Sequence, residues 1–147
     1  MTMNPATRAG WWRWPCYSEN KIYARICKFF MSEIKIIDNQ ISLKELQEVA
    51  SERFGDMIKV VVDVKKEIMA IGGEMHYDEE QILLQNDSKQ ENLWGINLYV
   101  ELTGDEFIEY DSMINIRPNQ NNRSRYVEHE NIRKLIAGVV GKLIEKK

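Results

Sequence analysis

Cysteine and proline are scarce in this chain of 147 residues, which holds two Cys and three Pro. Cys16 and Cys27 both precede the part of the sequence that is patterned like a folded domain, and no zinc-ligand spacing of Cys and His is present. We therefore expect no zinc site and no disulfide framework, and we expect a cytoplasmic location, where thiols stay reduced. No apolar run approaches the roughly 18 residues that a transmembrane helix needs, so no membrane span is expected.

The first thirty residues differ in composition from the rest. They hold three of the four Trp, five basic residues and one acidic residue, a net charge of +4. The whole chain carries −3, so residues 31–147 carry −7. We do not expect residues 1–30 to be a signal peptide, because no apolar stretch of about 7–15 residues precedes a small-residue cleavage site. We interpret residues 1–30 as a non-native or disordered extension that ends before Met31; the alternative is a membrane-surface segment built on "WWRW".

Residues 31–147 are predicted to form a single α+β domain, with a mostly antiparallel sheet of about four strands. "ISLKEL" predicts the start of an N-terminal helix, because Ser42 and Glu45 form a capping box. Gly55 is well placed to end that helix in left-handed conformation. Stretches rich in β-branched and aromatic residues predict the four strands, over 57–64, 68–75, 93–102 and 107–118, with a further short strand indicated at 33–37.

Two more helices complete the predicted domain. "HYDEEQILLQND" is assigned a short middle helix, although its apolar run is too short to exclude an edge strand at "QILLQ". From Glu128 onward apolar residues recur at helical spacing, and Lys residues gather at the C-terminal end, as the helix dipole favours.

The last predicted strand carries a polar face that is a candidate site. Strict alternation over 107–118 places four polar side chains in a row about 7 Å apart. Such a row could hold a metal through carboxylates or an anion through arginine, although the solvent face of an antiparallel sheet looks the same. The row consists of Glu109, Asp111, Asn115 and Arg117, and it could be extended by Lys59, Asp63, Asn97 and Tyr99.

"GGEMHYDEE" is the second candidate. Glu74 and His76 are two residues apart, so in a strand they share a face, and with Asp78 they resemble an acid/base or metal cluster. The alternative is a histidine near a helix start, among acids that the dipole favours there. We predict Glu74, His76 and Asp111 as the catalytic residues, with no metal or cofactor assigned.

The loop "NQNNRSR" is the third candidate. Arg123 and Arg125 are close enough in sequence to reach one phosphate. The alternative is a solvated loop whose Asn and Ser side chains satisfy their own backbone. A nucleic-acid partner is not expected, because the domain is acidic. The predicted substrate-binding residues are Asn115, Arg117, Asn122, Arg123 and Arg125.

Several strings, among them "FGDM", "GGEMH", "LWGIN", "DSMINIRP" and "NRSR", resemble a prokaryotic family known as domain of unknown function 5674. The resemblance covers about residues 34–144 and implies that the domain begins near Met31. It implies no activity, substrate or catalytic residue. Asp87 and Asn121 stand where that family tends to have Gly, and both residue types tolerate left-handed backbone.

Two functions remain open. The first is a non-catalytic interaction or regulatory module with a protein partner or a second copy of itself, which small size and acidic balance favour. The alternative is a small enzyme or ligand-binding domain that acts on an anionic, phosphate-containing substrate through a His/carboxylate/Arg site. The sequence contains no P-loop, nucleophile elbow or HExxH motif to decide between them.

Overall fold

A five-stranded antiparallel sheet organises the residues that the computed structural model describes, 33–145. Two short strands outside this sheet, β2 (Ile41–Ser42) and β7 (Ile144–Glu145), pair in parallel. The sheet itself consists of β1 (Lys35–Ile37), β3 (Met57–Asp63), β4 (Ile68–Ile71), β5 (Leu93–Tyr99) and β6 (Ile108–Glu109). These strands lie side by side in the order β1–β4–β3–β5–β6, so β6 forms one edge. The interpretation of residues 1–30 lies outside the described part of the chain.

In the described range 33–145, three α-helices flank the sheet: α1 (Leu43–Ser51), α2 (His76–Gln85) and α3 (Glu130–Leu143). The capping signal before α1 is confirmed, since the Ser42 hydroxyl accepts from the Glu45 backbone amide at 3.2 Å. Gly55 follows with φ of 88°, and its amide donates to the Ala50 carbonyl at 2.8 Å. The middle segment is a helix, so the alternative of an edge strand there is wrong.

The two faces of the sheet bury two separate cores. Ile58, Val60 and Val62 face α1 and α3 in the larger core, which contains Trp94, Ile96 and Leu98 of β5. Val61 points to the other face, where it packs with Ala70, Leu83 and Leu93 beneath α2. Successive side chains of β3 therefore point to opposite faces of the sheet, as the sequence pattern indicates, and each face has its own apolar cover. The sheet lies between a layer formed by α1 and α3 and a layer formed by α2.

The number of strands in the sheet is five rather than about four, because β1 pairs fully with β4. The strand predicted over 107–118 is wrong beyond Glu109. After β6 the chain forms two 3-10 turns, Met113–Asn115 and Pro118–Gln120, joined by irregular backbone. At this point the side chain of Asn115, rather than a main-chain ladder, bonds to the edge of β5 at Gly95.

Two loop residues adopt the left-handed conformation that their types tolerate. Asp87 has φ of 66° and Asn121 has φ of 59°. Both occupy positions where the sequence resemblance suggested glycine, so that expectation about backbone geometry is confirmed. Within 33–145, no helix is long and apolar enough to cross a membrane.

Candidate functional site

The segment after β6 is held in place by its own amide side chains. Asn115 is fully buried, and its Oδ1 accepts from the Gly95 amide while its Nδ2 donates to the Gly95 carbonyl, both at 2.9 Å. The same Nδ2 donates to the Arg125 carbonyl at 3.0 Å. Asn115 thus ties the middle of β5 to the returning part of the loop.

Asn122 performs the same task at the far end of the loop. Its Nδ2 donates to the carbonyls of Asn115 and Tyr126 at 2.8 and 2.9 Å, and its Oδ1 accepts from the Glu128 amide at 2.8 Å. Asn122 is fully buried. The arrangement is the one expected of a loop whose amides satisfy its own backbone.

Arg117 lies in the interior, 7% exposed, with its guanidinium 4.9 Å from the ring centroid of Trp94. It donates to the backbone carbonyls of Leu93 and Gln90, the latter at 2.6 Å. Burial lowers the pKa of Arg117 below its usual value, and the charge of Glu80, at 3.8 Å, partly offsets this. The guanidinium therefore faces protein carbonyls and an aromatic ring.

His76 is the first residue of α2 and is 8% exposed. Its Nε2 lies 2.7 Å from the Ile96 carbonyl, which only accepts, so Nε2 carries the proton. Burial, the largest cause, lowers the pKa of His76 to about 4, although the bond to Ile96 acts in the opposite direction. His76 is therefore neutral at pH 7.

Glu79, one turn further along α2, is a buried acid that reading the sequence missed. Its Oε1 accepts from the Gly73 amide at 3.0 Å, and burial raises its pKa well above the usual value. A Cβ on Gly73 would lie 2.9 Å from the Glu79 Cγ, so glycine at this position lets the Glu79 side chain lie close to the backbone. The sequence did hold a signal for this acid, because Glu79 follows His76 by three residues, and that spacing places both side chains on one helix face.

Three of the predicted residues, His76, Asp111 and Arg125, belong to one cluster of polar groups. Asp111 and Arg125 form an ion pair at 2.7 Å, and the charges of both act on the pKa of His76, as does Lys59. The cluster extends to neighbours on β5 and β6 that alternation suggested. Asn97 donates to the Glu109 carboxylate at 2.8 Å, and the Tyr99 hydroxyl donates to it at 3.1 Å.

Three further predicted residues, Glu74, Asp63 and Arg123, are engaged elsewhere or exposed. Glu74 is exposed and pairs with Arg53 at 2.6 Å. Asp63 accepts from the amides of Lys65 and Lys66 and closes the β3–β4 turn. Arg123 is exposed and forms no ion pair within residues 33–145. The same part of the chain holds no group of three or more His, Cys, Asp or Glu that could bind a metal.

An open groove of about 1190 Å³ runs beside the sheet edge and α3. We call it the β6 groove. Tyr110 and Tyr126 meet in its wall as a T-shaped pair with ring centroids 6.3 Å apart. The sequence did not reveal this groove, because its walls come from three separate segments between residues 99 and 141. They comprise Tyr99, Leu102, the segment 104–111, Tyr126, and Ala137, Val140 and Gly141 of α3.

Comparison with known proteins gives one result. The model of a family described as "Protein of unknown function (DUF5674)" matches residues 35–143, which is more than half of the chain. The resemblance read from the sequence is thereby confirmed. No curated protein and no solved structure matched.

Proposed function

This chain belongs to the family of proteins of unknown function DUF5674, and we propose that it is a non-catalytic interaction module that binds a protein partner in the β6 groove. One observation carries the proposal: the groove exposes apolar and aromatic side chains along a sheet edge. Leu102 is 42% exposed and Tyr126 is 49% exposed. Exposed apolar groups gathered in a concave surface with a polar rim are typical of protein-binding sites.

The α3 wall of the groove supports the same proposal. Ala137 and Gly141 are one helical turn apart, and a Cβ on Gly141 would meet nothing within 4 Å. Small residues at this spacing leave a shallow channel on the helix surface, in the same groove that the apolar Leu102 lines. A partner segment that lies in this channel would contact both α3 and the sheet edge.

The polar residues near the loop give little support to a catalytic role. The side chains of Asn115, Asn122 and Arg117 form their hydrogen bonds with backbone groups of the fold. A substrate that used them would have to break those bonds and leave buried groups unpaired, at a cost of about 1–3 kcal/mol each.

The test uses two leucines that differ in position and little in exposure. Leu102 lies in the β6 groove, whereas Leu135, 54% exposed, lies on α3 outside it. A photo-cross-linking amino acid is placed at either position in the full chain, and the products formed in the native host are identified. We expect a defined adduct from position 102 only. The purified partner should then bind Leu102→Ser at least tenfold more weakly than Leu135→Ser.

Equal adducts from both positions, or a partner that binds both serine variants alike, would contradict the proposal. If the adduct is a second copy of this chain, sedimentation will show a dimer that Leu102→Ser dissociates. In that case the module is a self-association domain that uses the same groove.

The second candidate is a domain that binds or acts on a phosphate-containing substrate. It is favoured by one observation, the neutral His76 in the field of Lys59 and Arg125, with Arg123 exposed on the same loop. Inorganic phosphate should then raise the Tm of the full chain, because a ligand that binds only the folded state stabilises it. Arg125→Ala should abolish that shift. No shift in the unmodified protein would eliminate this candidate.

A further inference from the structure

The charge of the β6 groove indicates which kind of segment it accepts, an inference that rests on the proposed function. The groove is lined by four acids and, among residues 33–145, by no Lys, Arg or His. The acids are Asp105, Glu106, Glu109 and Asp111.

Among residues 33–145, only one of these four carboxylates has an ionic partner. Asp111 pairs with Arg125 at 2.7 Å. Glu109 accepts from the uncharged groups of Asn97 and Tyr99, which leaves its charge in place. No ion pair within the described range 33–145 involves Asp105 or Glu106. The groove therefore retains three negative charges beside its apolar lining.

The tyrosines of the groove feel these charges to different degrees. Burial is the main cause that raises the pKa of Tyr110; the charge of Asp105 also raises it, but the charge of Arg133 at the border of the groove lowers it more. Burial also raises the pKa of Tyr99, followed by its bond to Glu109 and the charges of Glu109 and Asp111. A negative potential that disfavours phenolate favours a cation at the same place.

The aromatic surface adds a second attraction for cations. The guanidinium of Arg133 already lies 5.1 Å from the ring centroid of Tyr126, at the border of the groove. Tyrosine rings attract Lys and Arg side chains to their π faces. Carboxylates and aromatic rings are thus combined along one concave surface.

We propose that the β6 groove binds a basic, partly apolar polypeptide segment. Its Lys or Arg side chains would face Asp105, Glu106 and Glu109, and its apolar side chains would cover Leu102 and the Tyr110–Tyr126 pair. Charge complementarity selects such a partner and disfavours anionic ones, because like charges brought together at an interface repel each other. Nucleic acids and anionic lipid surfaces are disfavoured for the same reason.

The test measures binding of two fluorescein-labelled peptides of equal length to the full chain by anisotropy. One peptide alternates lysine and leucine, and the other alternates glutamate and leucine. We expect the lysine peptide to bind and the glutamate peptide not to bind. Raising the salt concentration from about 0.05 M to about 0.5 M should weaken binding severalfold, since exposed charges are then screened.

Charge variants assign the binding to the groove. The double variant Asp105→Asn/Glu106→Gln should weaken binding of the lysine peptide about tenfold. The matched control is Glu48→Gln/Glu91→Gln, which removes the same charge from two exposed positions outside the groove. This control should leave the affinity within about twofold.

Each contrary result has a distinct meaning. If the lysine peptide does not bind, or binds both double variants alike, the basic-partner inference is overturned. If the glutamate peptide binds instead and Leu102→Ser weakens it while Leu135→Ser does not, the inference falls but the groove remains an interaction site. If neither peptide binds and position 102 gives no specific cross-link, the inference and the proposed function both fail.

Discussion

The side-chain amide of Asn115 pairs with both backbone groups of Gly95, donating to its carbonyl and accepting from its amide at 2.9 Å each. A neighbouring strand would offer these same two groups, so the side chain replaces one rung of a β-ladder. The chain after β6 can therefore leave the sheet edge without leaving these polar backbone groups of β5 unpaired. This side-chain rung holds in place the loop whose two ends, at Asp111 and Tyr126, line the β6 groove.

Asn115→Ala should destabilise the protein by about 2–4 kcal/mol. The change removes the bonds to Gly95 and Arg125 and leaves buried backbone groups unpaired, at about 1–3 kcal/mol for each such group. Urea unfolding measures the loss. The matched control is Asn119→Ala, an exposed amide in the same loop, which should stay within about 0.5 kcal/mol. Equal effects of the two variants would contradict the structural role of Asn115.

Gly95→Ala should also destabilise, by about 1–3 kcal/mol or more. The new Cβ would lie 2.5 Å from the Ser112 Cβ, so the loop would have to move away from β5. Gly138→Ala on α3 is the control, because its Cβ would meet nothing within 4 Å and Ala favours helix by about 0.5–1 kcal/mol. The measured Tm should fall for the first variant and hold or rise for the second. A stable Gly95→Ala protein would show that the close approach is absent.

Arg117→Lys should destabilise by about 2–4 kcal/mol despite keeping the charge. Lysine cannot reproduce the planar contact with Trp94 or the fork of bonds to Gln90 and Leu93. Arg123→Lys, in the same loop but exposed, should be neutral. The two variants are compared by their midpoints of denaturant unfolding, provided that the unfolding free energy of both depends on denaturant with the same slope. If Arg123→Lys is instead the damaging change, Arg123 rather than Arg117 anchors the loop.

His76 predicts a specific dependence of stability on pH. Its folded pKa is lowered from 6.5 to about 4, so the unfolded chain takes up a proton first as the pH falls. Its contribution is complete above about pH 6.5 and is lost between there and about pH 4, on the order of 3 kcal/mol. In His76→Gln, whose amide can still donate to Ile96, this loss should disappear. An unchanged pH profile of the unfolding free energy would refute the assignment.

Glu79 should make the stability of the protein depend on pH in the direction opposite to that of His76. Its folded pKa is raised, so the folded state binds the proton more tightly, and stability falls as the pH rises above the usual carboxyl pKa of 4.5. Glu79→Gln keeps an acceptor for Gly73 and carries no charge. The variant should therefore be as stable as the parent in acid and more stable at pH 7. Unfolding free energies measured at both pH values decide this, and a loss of stability at pH 7 would count against a buried neutral acid.

Local chemistry made part of this fold predictable from the sequence. The Ser42 cap, the alternation of β3 and the left-handed backbone at Asp87 and Asn121 each depend on a few neighbouring residues. The strand predicted after Glu109 failed because "DSMINIRP" has strand-like residues, while Asn115 makes its bonds to β5 through a side chain. The alternation of apolar and polar residues cannot show that a side chain, rather than a strand backbone, makes the hydrogen bonds to β5.

The candidate sites show the same division. Alternation correctly grouped Asn97 and Tyr99 with Glu109, because these residues are neighbours on paired strands. The β6 groove was not predictable, since it forms only when Tyr126 and α3 fold back against the sheet edge. The direct roles of the predicted catalytic and substrate-binding residues stay predictions, for which the phosphate experiment provides the test.

The most direct measurement is an NMR titration of the full chain with the lysine–leucine peptide, and separately with inorganic phosphate. We expect the peptide to perturb backbone amides in the β6 groove, at Leu102, Asp105, Tyr110 and Gly141, and phosphate to perturb none of the four. Perturbations confined to Arg123, Arg125 and His76, produced by phosphate and not by the peptide, would contradict binding in the groove and identify the polar cluster as the functional site.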